Sequence, residues 1–406
     1  MIKNKIYLYQ QWSAYLIPVA LIFTIFIADL LVIILSIIFL IHQVQLRNIK
    51  IFYNRIFVFF FIFWLYLVFN SFLSYDVETS FSRSVPYLRF GFLFLALSCL
   101  LNDDKFKENF LKIVLFSLLF LCFDAIFQYS FGFNLMGYEP HSSRMSSFFD
   151  DELVMGNFLL RMYPIFLISI IFLIKRIFIS RKILLILSII IYSFCIFLSG
   201  ERTAFFNFII LNFILSIIFF RKEYFKYLLI FLLFVPSAFL ISFYANQNIL
   251  ERYLNLELIK DEKLVIFSNI YQNHYFSAYK IFKAHPISGS GLKSFRKICL
   301  KPQFNPKGCA THPHNLLMQF LSELGLIGTF FYLFSFFYFF IKIFKLFINK
   351  FKKQKKVATS KIETILIVSI FVSLSPFSPS GSFFNNWISI LNFLPLAFLI
   401  HFQKNS

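Results

Sequence analysis

Two short stretches carry the residue types needed to hold an anionic group beside a proton acceptor. His312-Pro313-His314-Asn315 stands directly ahead of a long apolar run that contains Gly325 and Gly328. An imidazole exchanges a proton near neutral pH. A helix starting at Asn315 would aim free N–H groups and the positive end of its dipole at the same place, a ready seat for an anion. At about 100° per residue, His314, Leu321, Gly325 and Gly328 share one helix face, so a neighbouring helix is expected to approach the glycines below the histidine. The second stretch is Ser199-Gly200-Glu201-Arg202-Thr203, a tight turn between two apolar runs. It would hold Arg202 at a membrane surface, where the planar guanidinium binds phosphate in a bidentate fashion. Arg144, in the polar segment from Ser142 to Asp150, invites the same reading. The plainer alternatives stay open: a capping or interfacial His314, and arginines that meet Glu201 or lipid headgroups. Of the two histidines His314 is the sharper candidate, and His312 reads as loop.

The elements that must position these residues are membrane spans. Hydrophobic residues make up 59% of 406 and charged residues only 14%, which excludes a soluble globular chain. A helix needs about 20 apolar residues to cross the hydrocarbon core. Twelve spans fit, near residues 12–27, 30–46, 56–74, 87–101, 109–127, 157–174, 183–198, 204–220, 227–245, 314–341, 362–375 and 386–402. Asp29 marks the expected turn between the first two, since a carboxylate at the bilayer centre is costly. No cleavable leader pattern precedes the first span, which is expected to remain. The net charge of +20 resides mainly in short loops, so it reports topology and not nucleic-acid binding. By the positive-inside rule, Arg47/Lys50/Arg55, Lys105/Lys107, Lys175 to Lys182, Arg221 to Lys226 and Lys342 to Lys361 share the cytoplasmic side with both termini. The candidate residues then share the outer face. The chain reads as one membrane domain, 1–406, with a large outer loop, 246–313, inserted between spans nine and ten. A structureless connection of that length is unusual, and the periodicity of Asn269 to Ala284 predicts a helix in it.

Cys299 and Cys309 lie in this loop. An oxidising compartment favours a disulfide between them, whereas zinc with His312 and His314 fits standard ligand spacings poorly; free thiols are the third reading. His285-Pro286-Ile287-Ser288-Gly289-Ser290-Gly291 ends in Gly-x-Gly without the strand, third glycine or compartment of a dinucleotide site. It reads as a turn leading to Arg296.

His314-Asn315, nine residues and then Gly325-Leu326-Ile327-Gly328 resemble the motif H-[NSQ]-x9-G-x2-[GTY] of the O-antigen ligase and O-antigen polymerase family, and Ser199-Gly200-Glu201-Arg202 resembles its S-G-x-R turn. Arg144 with Phe149 and Asp150, the Pro-x-x-Gly-x-Gly turn, the cysteine pair and the region from Pro376 to Trp387 are similar too. The resemblance implies an all-α, GT-C-like integral membrane glycosyltransferase of the bacterial inner membrane. Such an enzyme moves a glycan from undecaprenyl diphosphate to an acceptor hydroxyl, such as lipid A core, on the periplasmic side, without metal, cofactor or nucleotide sugar. Its partners would be that donor, the acceptor and membrane lipids. Under this reading His314 and Arg202 are catalytic, and Arg144, Arg252, His274, Arg296 and Asn315 contact substrate. One departure stands out: ligases usually carry an arginine ahead of the Pro-x-x-Gly-x-Gly turn, where this chain has Tyr271-Gln272-Asn273-His274, and Arg252 is the nearest candidate. A polymerase joining lipid-linked repeats is the alternative within the family. A lipid-linked glycan transporter is the alternative outside it; against that reading, no internal repeat is visible and the distinctive polar residues collect on the outer face instead of the midplane.

Overall fold

The computed structural model describes residues 2–141, 144–173, 181–219, 253, 259–260, 263–264, 268–351 and 360–404. These are helical except for loops and one two-residue hairpin, Ile259–Lys260 with Lys263–Leu264. In chain order the helices are α1 (Ile2–Phe23), α2 (Ile25–Leu46), α3 (Arg55–Phe72), α4 (Val77–Ser84), α5 (Arg89–Leu100), α6 (Asp104–Phe131), α7 (Met155–Leu173), α8 (Arg181–Leu198), α9 (Arg202–Phe219), α10 (Asn269–Ala284), α11 (Phe295–Ile298), α12 (Leu316–Phe351), α13 (Lys361–Ser373) and α14 (Asn386–Lys404).

Helices stand at eleven of the twelve expected span positions, and the twelfth, 227–245, lies outside the described residues. Among the described residues eight helical stretches are long and apolar enough to cross a membrane: α2, α3, α4 with α5, α6, α7, α9, α12 and α14. The described residues are therefore those of a mainly helical integral membrane protein. The other four of the twelve expected positions are α1, α8, α13 and the segment 227–245 outside the described residues. The 13 residues of α13 rise about 20 Å, less than the roughly 30 Å of a hydrocarbon core.

Two expectations are corrected. The break between the first two helices falls at Thr24, whose backbone is extended (φ −160°, ψ 119°), and not at Asp29. Asp29 sits within α2 because its charge is met: Arg89 donates to both carboxylate oxygens at 2.9 and 3.1 Å and Asn386 to one at 2.9 Å. The second correction concerns α12. His314 is not on this helix, and the helix is not continuous: Gly325 takes φ 62°, ψ −161°, a region essentially reserved for glycine.

What approaches Gly325 is the turn Pro286–Gly291, not a second helix. A Cβ at Gly325 would lie 2.3 Å from the Ile287 carbonyl oxygen, and one at Gly289 would lie 2.4 Å from the Glu323 carbonyl carbon. The turn takes over the hydrogen bonds that the break releases. Ser290 N–H donates to Ser322 O (2.9 Å), Gly291 N–H to Glu323 O (2.8 Å), Leu326 N–H to Pro286 O (2.8 Å) and Ile327 N–H to Ile287 O (3.3 Å). Tyr66 Oη–H donates to Leu324 O at 2.5 Å. An unpaired backbone group in an apolar surround costs several kcal/mol, so irregular backbone at such depth requires this kind of pairing.

The core is built largely from phenylalanine. Phe60, Tyr87, Phe90, Phe94 and Phe393 pack ring against ring, with Phe90–Phe393 centroids at 5.9 Å and Tyr87–Phe90 at 5.0 Å. They join α3 and α5 to α14. A second, small core of Ala278, Ile281, Phe295, Ile298, Cys299 and Phe304 holds α10 and α11 together beside the entrance to α12.

Candidate functional site

Loops from distant parts of the chain enclose a polar cavity of about 1010 Å³. Arg144, Arg202, Arg296 and His314 all line it, joined by Lys293, His312, Tyr271, Asp150 and Glu152.

The turn between α8 and α9 is tight because Gly200 adopts φ 63°. Glu201 then plugs the start of α7: its carboxylate accepts from Gly156 N–H at 2.7 Å and from Asn157 Nδ2 at 2.5 Å. Burial raises its carboxyl above the ordinary carboxylate range, opposed by nearby Arg144 and those donors. Glu201 thereby locks the turn and leaves Arg202 as the first residue of α9, on the cavity wall. Arg144 ties the same turn from outside. Its Nε donates to Ser199 O (3.1 Å) and its Nη2 to Leu153 O (3.0 Å), so it is a clamp as well as a cation.

Opposite stands the approach to α12. Asn315 is the helix cap: its Oδ1 accepts from Met318 N–H at 3.0 Å and its Nδ2 donates to Pro376 O at 2.8 Å, leaving the side chain buried in protein contacts. His314 takes the left-handed conformation (φ 55°), which turns it off the helix axis, and its carbonyl accepts from Ser380 N–H at 2.9 Å. Gln319 secures the same α13–α14 connection, donating to Ser382 Oγ at 2.9 Å and accepting from Phe383 N–H at 3.0 Å.

Three imidazoles converge here, with ring centroids 4.0 Å apart for His312–His314 and 5.3 Å for His274–His314, and Tyr271 at 5.8 Å from His314. His312 Nε2 faces the Ser380 carbonyl (3.3 Å) and its Nδ1 faces Thr311 Oγ1 (2.9 Å). A carbonyl only accepts, so Nε2 carries the proton, and Nδ1 accepts from the threonine hydroxyl. Burial, with His314 beside it, pushes the His312 pKa down to about 3. Burial, then His274, lowers that of His314 as well. Both rings are therefore neutral at pH 7, the form in which an imidazole accepts a proton. His274 lies behind, its Nδ1–H donating to Gly308 O at 2.9 Å; it supports His314 and does not line the cavity. Among the described residues no group of three or more His, Cys, Asp or Glu side chains is arranged to hold a metal ion.

Cys299 and Cys309 are joined in a disulfide, Cα–Cα 5.1 Å, which closes the segment that follows Arg296 and precedes the histidines. Arg252 lies outside the described residues. Two residues of the wall, Lys293 and His312, are not marked by the sequence patterns above. No spacing signal marks Lys293, since its place on the wall depends on the docking of the Pro286–Gly291 turn. His312 shows a signal only in its pairing with His314.

No curated protein sequence matches the chain significantly. Residues 186–333, which hold the α8–α9 turn, the histidines and the broken helix, match the O-antigen ligase family. Over this segment, which carries Arg202, Arg296 and His314 of the cavity wall, the chain is similar to the O-antigen ligase family.

Proposed function

We propose that this protein is an O-antigen ligase-like enzyme that moves a glycan from undecaprenyl diphosphate to a hydroxyl of lipid A core. The observation that carries this reading is the shared cavity: Arg144, Arg202 and Arg296 come from three separate segments and line one space with His314. In the reaction the bond between the sugar C1 and the phosphate oxygen breaks, and its electron pair stays on the diphosphate. The acceptor oxygen bonds to C1 and its proton passes to the neutral imidazole of His314. Charge grows on the leaving diphosphate, where Arg202, Arg296 and Arg144 stabilise it; groups placed in this way are each worth about 10²–10³ in rate. Arginine supplies the positive charge, so no step needs a metal.

In this reading the cavity faces the periplasm from the inner membrane, both termini are cytoplasmic, twelve spans cross the bilayer, and the loop 246–313 lies outside. The basic clusters on alternate loops support that orientation. The test is transfer by the purified full chain in lipid nanodiscs, given undecaprenyl-diphosphate-linked glycan and lipid A core, with product followed by mass. A folded His314→Ala protein that transfers at the wild-type rate overturns the mechanism. Lipopolysaccharide from a deletion strain separates ligase from polymerase: core with no repeat is expected, and core bearing a single repeat reassigns the protein as a polymerase.

A further inference from the structure

Lys293 is an unusual lysine. Only 8% of it is exposed, it lines the polar cavity, and its backbone is left-handed (φ 61°) without being glycine. Among the described residues its ammonium makes no hydrogen bond and no ion pair. The backbone beneath it is tied by hydrogen bonds. Gly291 N–H is bound to Glu323 O at 2.8 Å, Ser294 Oγ donates to Gly291 O at 2.7 Å, and the hydroxyls of Ser290 and Ser294 meet at 2.7 Å. The residue is thus mounted on the turn that fills the break in α12. The titratable groups that face it are Glu323 from α12, Arg296 from α11, Arg83 from α4, and the neutral His312 from the loop before α12.

A solvated surface lysine would not be buried in this way. Two roles remain: a counter-charge for the buried Glu323, or a cation for something that enters the cavity. The second accounts for what the first does not, namely a side chain that borders the cavity and forms no ion pair with Glu323 within 4 Å. Building on the proposed function, we infer that Lys293 binds the diphosphate of the lipid-linked donor, alongside Arg202 and Arg296, with Glu323 behind it favouring the charged form. As the sugar–phosphate bond breaks, the ammonium lies against the oxygen atoms that gain charge. Burial, partly opposed by Glu323, brings the Lys293 pKa down to about 8. An anionic donor favours the protonated form, so donor affinity is full below that value and weakens as the pH rises through it.

The experiment measures binding of undecaprenyl diphosphate itself to the full chain in nanodiscs across pH 6.5–9.5, for wild type, Lys293→Arg, Lys293→Met and the double variant Lys293→Met/Glu323→Gln. Loss of a charged hydrogen-bond donor predicts binding about 10- to 100-fold weaker in Lys293→Met. The double variant stays equally weak, although its wall is again neutral and free of an unmatched charge. Lys293→Arg keeps the affinity and loses the weakening near pH 8. Recovery of binding in the double variant would make Lys293 a mere partner of Glu323 and overturn the inference, as would unchanged binding in Lys293→Met. A wild-type protein that fails to bind the diphosphate lipid would instead bring down the proposed function, and the inference with it.

Discussion

Two cavities among the described residues are made in opposite ways. The polar one, about 1010 Å³, is walled by loops and includes Asp150, Gly200, Lys293 and His314, all at positive φ. The other, about 440 Å³, lies between α3 and α12 among Phe59, Phe63, Phe331, Phe334 and their neighbours, and none of its lining residues has a left-handed backbone. Rare conformations cost free energy and collect where a site must be shaped; an apolar space between helices needs only side-chain packing. The comparison teaches that chemistry and cohesion occupy different layers of this protein. Changes in the first should cost activity, and changes in the second should cost stability.

The sharpest way to break that division is His314→Ala. Transfer should fall about 10²- to 10⁴-fold, the usual worth of a positioned acid or base, while the thermal unfolding midpoint hardly moves. A rate profile in the wild type checks the same residue. The His314 pKa is lowered, so activity should persist down to the ordinary imidazole range and fall only below it, as the ring takes a proton. Activity that already declines on going from pH 8 to pH 7 would count against a neutral His314.

Phe63→Ala tests the other layer. Phe63 is 7% exposed and packs on Phe331 at 5.4 Å between ring centroids, so truncation should cost about 3–5 kcal/mol. Denaturation in detergent would register it, and turnover per folded molecule should be unchanged. Cys299→Ser with Cys309→Ser falls between the layers. Loss of the disulfide should remove about 2–4 kcal/mol from the loops it ties together, seen as faster hydrogen exchange in residues 295–312 and a raised KM for donor with kcat less affected. The smallest effect is expected of Asn315→Ala, about 1 kcal/mol for a lost helix cap, with a modest drop in rate through displacement of His314.

Much of this was legible in the sequence where the signal is local. The helix from Asn269 to Ala284 follows from periodicity, the α8–α9 turn from its brevity, and most helix positions from hydropathy. Local signals failed where a distant partner changes what a residue costs. Asp29 stays inside α2 because Arg89, 60 residues on, answers its charge. Gly325 reads as helix packing until the turn at Gly289 is placed against it. The convergence of Arg144, Arg202, Arg296 and His314 was anticipated from membrane sidedness, but their distances and the presence of Lys293 depend on tertiary docking alone.

The broken helix has a consequence for how the chain is made. The first piece of α12, Leu316 to Leu324, is tied to the rest of the helix through hydrogen bonds to the turn Pro286–Gly291, which precedes it in the chain. Synthesis runs from the N-terminus, so the template that completes the helix emerges before the segment that needs it. A glycine-to-valine change at 325 would then act first on biogenesis: α12 would emerge as an uninterrupted helix, the turn would find no seat, and degradation during membrane insertion would precede any measurable loss of transfer.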